Sequence, residues 1–336
     1  MKTKIFFLMI LMSLMLAGCY DNDEIDELAN VTALGIEKDG FTFSIADTGS
    51  FSGEGDKGSE SESICYFSKN KSIENAIDDV NRKISKKLSF SHMSVIIASK
   101  YSAKQGIYDT VKYFEGMPDV RPQTLIAISQ IKPYEYLKNL KLSLEVNPEK
   151  YFLNIFQKSS SYIPVLKMSD YTNSVTCNTH VIAPLIASND SEEENTEVMG
   201  AALLSDGKMR EILHDLSVLG LLNSTKNVVF DYGEENYIIN SLNMPKISVK
   251  PRGTETLVNI SLNVGNKNNS FDDEKFLENR IKKYLNENSK KGYDVFKFSD
   301  FSKKAFKFQN DYDNYDWKSQ LIRCKYDVNV TISDGE

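Results

Sequence analysis

Cys177-Asn178-Thr179-His180 places two zinc-competent side chains three positions apart. A closed zinc site needs four ligands, and the remaining candidates, His92, His214, Cys65 and Cys324, lie far away in sequence. The pair therefore reads as local surface chemistry rather than a metal centre. Gly53-Glu54-Gly55-Asp56-Lys57-Gly58 spells G-x-G-x-x-G after a predicted strand. A dinucleotide loop must open a helix whose first amides hold pyrophosphate. Here Ser59 to Ser63 is acidic and lacks a helical period, and Glu54 and Asp56 would repel phosphate, so a flexible loop is expected. His92 and His214 could move protons, but neither has a nucleophile or an orienting carboxylate nearby in sequence. The chain reads as a non-enzyme without catalytic residues, metal or cofactor.

Cys19 is different. Lys2-Thr3-Lys4 precedes Ile5 to Ala17, an apolar run interrupted only by Ser13, and the acidic Asp21-Asn22-Asp23-Glu24 follows. This is the build of an export signal, and the run is shorter than the roughly 20 residues a membrane-spanning helix needs. Leu16-Ala17-Gly18-Cys19 resembles the bacterial lipobox. That resemblance implies cleavage after Gly18, a diacylglyceryl thioether on Cys19 and an acylated new N-terminus. Two or three acyl chains anchor firmly where one does not, because each buried CH₂ adds about 0.8 kcal/mol.

The other cysteines, Cys65, Cys177 and Cys324, are odd in number and widely spaced, unlike a disulfide framework. Loss of residues 1–18 removes Lys2 and Lys4 and leaves 38 basic against 47 acidic residues, a net charge of -9. No nucleic-acid partner is expected of such a chain. One stretch reverses the sign: between Lys275 and Lys307, ten Lys or Arg outnumber the acidic residues and are interleaved with Tyr284, Tyr293, Phe296, Phe298, Phe301 and Phe306. Lys282, Lys283, Lys303 and Lys304 are the candidate contacts there, with lipid headgroups or with a protein partner. The alternative is that the aromatics are core and the lysines a solvated face.

These residues must be carried by elements. Val31 to Asp47 reads as a β-hairpin around Lys38-Asp39-Gly40, followed by a loop of small and charged residues, Gly49 to Ser63. Ser72 opens a helix with Ile73, Ala76, Ile77, Val80 and Ile84 on one face. Met93 to Ala98 and Thr124 to Ser129 read as strands on either side of a helix over 103–114, and Asn147-Pro148 as a helix start. Val198 to Leu204 and the alternating Leu257 to Val264 predict strands. A helix capped by Asp272 or Asp273 runs to Gly292 with Phe276, Leu277, Ile281, Tyr284 and Leu285 as its stripe. Tyr326 to Ile332 is the last strand. Ser188 to Glu197 lacks apolar residues and suggests a boundary. The expected fold is α+β and multi-domain, with mixed sheets covered by helices. Its regions are a signal peptide at 1–18, an N-terminal region at 19–195 with a subdivision near 120–130 as one arrangement, and a C-terminal domain at 196–336.

As a whole the chain resembles the Ger(x)C family, the lipoprotein C subunits of bacterial spore germinant receptors. The residues that carry the likeness are Gly18-Cys19-Tyr20-Asp21, Glu24-Ile25, Leu28-Ala29, VTALGIEKDG from Val31 and Ser89-Phe90-Ser91-His92-Met93. Downstream they are MGAALLSDGKMREIL from Met199, SKKGYDVFKFSDFSKKAF from Ser289, and Asp316-Trp317-Lys318. Tyr20 stands where members usually carry Trp. The resemblance implies three small α+β domains rather than the two that composition suggests. It also implies a non-enzymatic subunit on the outer face of the spore inner membrane, lipid-anchored, with the membrane-embedded A and B receptor subunits as partners. The rival from another class is a membrane-tethered solute-binding lipoprotein that captures the germinant itself.

Overall fold

The computed structural model describes residues 27–46, 63–140, 151–152, 154–156, 163–188, 196–224, 226–233, 235–252, 255–266, 271–306 and 315–334. The signal peptide, Cys19, the G-x-G-x-x-G stretch, Asn147-Pro148 and Asn189 to Asn195 lie outside the described residues.

The first sheet grows from apolar runs that are long enough for a strand and too short for a stable helix. It contains β1 (Leu28–Glu37), β2 (Gly40–Ala46), β3 (Ser63–Ser68), β4 (Lys87–Ser89), β5 (Val95–Ser99), β6 (Leu125–Ser129), β7 (Leu166–Lys167), β8 (Val181–Ser188), β9 (Thr196–Ser205) and β10 (Lys208–Leu213). Their order is β10-β9-β8-β6-β5-β1-β2-β3, with β4 on β1 and β7 on β6. Neighbours among β1, β5, β6 and β8 run parallel, while β2, β3, β9 and β10 extend the edges antiparallel. Central parallel strands are buried on both faces, which is why VIIAS of β5 and LIAIS of β6 carry no polar alternation.

Period two divides those strands between two cores. Ile96, Ala98, Ile126 and Ile128 face one side, where α1 (Ile73–Asn81), α2 (Lys100–Gln105), α3 (Tyr108–Glu115) and α5 (Met168–Thr176) bring Ala76, Ala103, Phe114 and Tyr171. Val95, Ile97, Leu125 and Ala127 face the other, against Tyr136 and Leu137 of α4 (Pro133–Asn139) and Phe152 and Phe156. Each such buried aliphatic or aromatic side chain contributes about 1.5–3 kcal/mol. The helix expected over 103–114 is two helices. Gly106 sits at φ +115°, a conformation that ends α2, and the chain restarts at Tyr108. The predicted first helix forms as α1, its Ser72 hydroxyl accepting from the Asn75 N–H at 3.4 Å.

Across residues 189–195, β8 and β9 pair antiparallel from Val181↔Leu204 to Ser188↔Thr196. The first sheet thus continues through Ser205 and Leu213, and the second begins beyond them.

The second sheet holds β11 (Val228–Tyr232), β12 (Glu235–Ser241), β13 (Lys246–Arg252), β14 (Glu255–Asn266) and β15 (Cys324–Asp334). β12 and β13 pair antiparallel with β14, and β15 lies parallel to it from Thr256↔Cys324 to Asn266↔Asp334. The alternation in β14 buries Val258, Ile260, Leu262 and Val264 against Leu277, Ile281 and Leu285 of α7 (Glu274–Lys290). Asp273 caps α7, accepting from the Phe276 N–H at 2.9 Å. Two carboxylates of α7 also reach the strand beside it. Glu278 accepts from the Val330 N–H at 3.2 Å and Glu274 from the Ile332 N–H at 3.0 Å. Ahead of the sheet, α6 (Leu216–Leu222) is held to α7 by Arg280, which donates twice to Asp215, at 2.8 and 3.2 Å. Ala201, Leu203 and Leu213 from the first sheet share this core, so the two sheets are joined through buried apolar surface. Mixed sheets covered by helices make the fold α+β. No helix among the described residues is long and apolar enough to cross a membrane.

Candidate functional site

The sequence-predicted groups fall in different places. His92, His214 and Cys177 are exposed, and His180 is half-buried. Among the described residues no three His, Cys, Asp or Glu side chains gather as metal ligands would. In the basic stretch, Tyr284 and Phe298 are core residues, and Tyr293, Phe296 and Phe301 pack against that core. Lys282 is half-buried, and Lys283, Lys303 and Lys304 are exposed. Lys303 pairs with Asp300 at 3.2 Å, and the Lys304 ammonium lies 5.4 Å from the centre of the Phe301 ring. The aromatics thus build the second core while the lysines form its wet face.

His180 and Trp317, by contrast, are brought together by a residue that the sequence reading passed over. Asp294 follows the end of α7 and precedes α8 (Phe298–Lys303), and it is 5% exposed. Its carboxylate accepts from the Phe298 N–H at 2.7 Å, the Ser299 N–H at 2.9 Å and the indole N–H of Trp317 at 2.9 Å. Trp317 begins α9 (Trp317–Leu321). The Asp294 N–H in turn donates to His180 Nδ1 at 3.4 Å, and the His180 and Tyr293 rings meet edge to face at 5.9 Å. Burial raises the Asp294 pKa above the ordinary carboxylate value, against the pull of these donors. Burial also lowers that of His180, which favours the neutral ring whose Nδ1 can accept. A carboxylate committed to three N–H groups is not free to act as a base. Its role is to lock α8 and α9 to each other, while the backbone N–H of the same residue ties them, through His180, to the start of β8. The small cavity beside it, about 260 Å³, is lined by Cys177, His180, Ser205, Lys297 and Lys318 among others. The sequence signal for Asp294 was its place four residues before the start of a short helix, hidden in a stretch that reads mainly as basic and aromatic.

A larger cleft, about 830 Å³, opens at the carboxyl ends of β1 and β5. The Lys38-Asp39 turn, Phe67 and Lys69 after β3, Tyr101 of α2 and Tyr134 of α4 surround it. Glu37 fixes its floor, accepting from the Thr42 hydroxyl and the Tyr134 N–H, each at 2.8 Å. Gly40 allows the close approach of the strands here, because a Cβ on it would lie 2.0 Å from the Ser68 carbonyl oxygen and 3.1 Å from Lys69 Cα.

The thiols differ in reactivity. Burial pushes Cys324 up to about 12 and also raises Cys65, whereas Cys177 is exposed. At pH 8 only about one Cys324 in ten thousand is thiolate. In a Cys19→Ala chain, Ellman's reagent is therefore expected to react in one fast phase that Cys177→Ser abolishes. A fast phase surviving that substitution would contradict the assigned burial.

With this geometry in hand, the chain can be set beside known proteins. No curated protein sequence matches it. The fold is similar to the crystal structure of the GerBC protein, with a TM-score of 0.53 and 12% identity, over 88% of this chain and 94% of that one. The family described as spore germination protein N-terminal domain matches residues 21–188, which hold the first sheet from β1 through β8. A match over half the chain, covering that whole run of strands in order, shows that the protein belongs to the spore germination protein family.

Proposed function

We propose that the protein is a lipid-anchored, non-enzymatic subunit of a spore germinant receptor, held on the outer face of the spore inner membrane through Cys19. The observation that carries this is the position of the family match, which starts at Asp21, just past the lipobox cysteine, and leaves the leader outside it. Leu28, where β1 begins, is nine residue steps along the chain from Cys19. Fully extended, they span at most about 30 Å, so an acylated Cys19 keeps the first sheet within that distance of the bilayer. Tethering concentrates the folded surfaces where the membrane-embedded A and B subunits reside, so a modest interface is enough for assembly and for coupling nutrient sensing to germination. Lys282, Lys283, Lys303 and Lys304 are the contact candidates, three of them exposed on the wet face of the second core.

Spores carrying Cys19→Ala are expected to lose the protein from the inner-membrane fraction and, with it, the nutrient response of this receptor. Full germination with a demonstrably mislocalised chain would overturn the anchoring role. Cross-linking on spore inner membranes is expected to join these lysines to the A or B subunit. Clean recovery of the chain with no receptor subunit attached would count against assembly.

A further inference from the structure

We infer that the cavity beside Asp294 binds a phosphate group, carried by free phosphate or by a small monoester, at the seam between the two sheets. The inference goes beyond the anchoring and assembly role. The walls of the cavity come from both sides of that seam. Thr179 and His180 lead into β8 and Ser205 ends β9, while Lys297, Lys303 and Lys318 belong to the segments around α8 and α9. A volume of about 260 Å³ is small for a drug-sized ligand and sufficient for a phosphate with a few further atoms.

The wall holds donors that the fold itself does not use. Ser205 is 9% exposed, and its hydroxyl has no hydrogen-bond partner among the described residues. A buried hydroxyl without a partner is costly, so an acceptor belongs against it. His180 supplies a second donor. Its Nδ1 accepts from the Asp294 N–H, which places the proton of the neutral ring on Nε2, and that N–H has no partner among the described residues. Lys297 and Lys318, both exposed, make no ion pair among the described residues, whereas Lys303 pairs with Asp300. Asp294 is the one acid on the wall and opposes an anion. The other nearby acids stand outside it: Asp300, Asp316 at the cap of α9, and Asp206, which pairs with Arg210 at 2.8 Å. The wall itself thus presents three ammonium groups against one carboxylate. Ammonium groups hold phosphate as point charges, and four oxygens take up this many donors where the two of a carboxylate do not. The exposure of the lysines and the opposition of Asp294 keep the affinity in the millimolar range.

The test is calorimetric titration of the full chain in detergent, at neutral pH and fixed ionic strength, with inorganic phosphate, glycerol phosphate and acetate. Saturable phosphate binding is expected, with acetate at least about threefold weaker. Tighter binding of glycerol phosphate than of phosphate identifies a monoester as the ligand, and equal or weaker binding identifies the free ion. Lys318→Met and Ser205→Ala should each weaken phosphate by about threefold, and Lys297→Met combined with Lys318→Met by about tenfold, at unchanged melting temperatures without phosphate. Saturating phosphate should raise the melting temperature of the wild type more than that of the double variant. Absence of saturable binding, acetate equal to phosphate, or indifference to these substitutions overturns the inference.

Discussion

Asp294→Ala is expected to destabilise the protein by about 3–5 kcal/mol, the cost of stranding several buried donors at once. The Phe298 and Ser299 N–H groups and the Trp317 indole all point at this carboxylate, and no second acceptor for them is present among the described residues. α8 and α9 should loosen together, and a fall in the urea midpoint with a red-shifted Trp317 emission would report both. A loss below about 1 kcal/mol would show that water replaces the carboxylate, as it does at exposed caps. Asp294→Asn separates charge from shape. Because burial raises the folded pKa above 3.8, the folded chain holds its proton to higher pH than the unfolded chain does. That stabilisation is complete below pH 3.8 and is lost as pH rises through the folded value. The wild type should therefore lose ground to the Asn variant as pH climbs from 3.8 toward neutrality. Parallel stability profiles would show the pKa to be unshifted.

The second large effect is expected at Gly40. Alanine there drives a Cβ to 2.0 Å from the Ser68 carbonyl oxygen, a backbone atom that cannot rotate away. β2 and β3 must part at the Phe41↔Ser68 end of their ladder, at a cost of about 3 kcal/mol. Gly40→Ala should lower the melting temperature by several degrees and speed amide exchange in β3 before the central strands. Gly233→Ala provides the contrast, since it has nothing within 4 Å of its Cβ and suffers only from its φ of +66°. If the two substitutions cost the same, the close approach at Gly40 is not what matters.

Much of the fold was legible because burial writes itself into the sequence with a period. The stripe of Leu277, Ile281 and Leu285, capped by an Asp, predicts α7 to within two residues at either end. Val258 to Val264 likewise predicts the middle of β14. Where the periods fail, so does the reading. Gly106 interrupts an unbroken apolar stripe, and only its φ reveals two helices. Pro184 disguises β8, which tolerates it because β6 pairs only with Leu185 and Ile186. The acidic run before Thr196 reads as a boundary because composition cannot distinguish a connection between paired strands from one between domains.

The site was less legible, for a related reason. Cys177 and His180 attract attention by residue type, yet the residue that gathers His180, through its backbone N–H, and Ser299 and Trp317, through its carboxylate, is an aspartate with no distinguishing neighbours. Asp39 and Lys69 border the larger cleft from 30 positions apart, and the β2–β3 register brings their segments to it. Long-range register is a property of the folded sheet, which local patterns do not encode.

Glu274 and Glu278 have a consequence for how the molecule keeps company. A terminal strand 11 residues long, bonded along one side to β14, would ordinarily offer its other side as a template for a stray strand. By occupying the outward amides of Val330 and Ile332, the two glutamates deny an incoming chain its first hydrogen bonds. Neighbouring copies are thereby discouraged from zipping into fibrils along this edge. Recognition at this end is left to side chains, which can tell one partner from another.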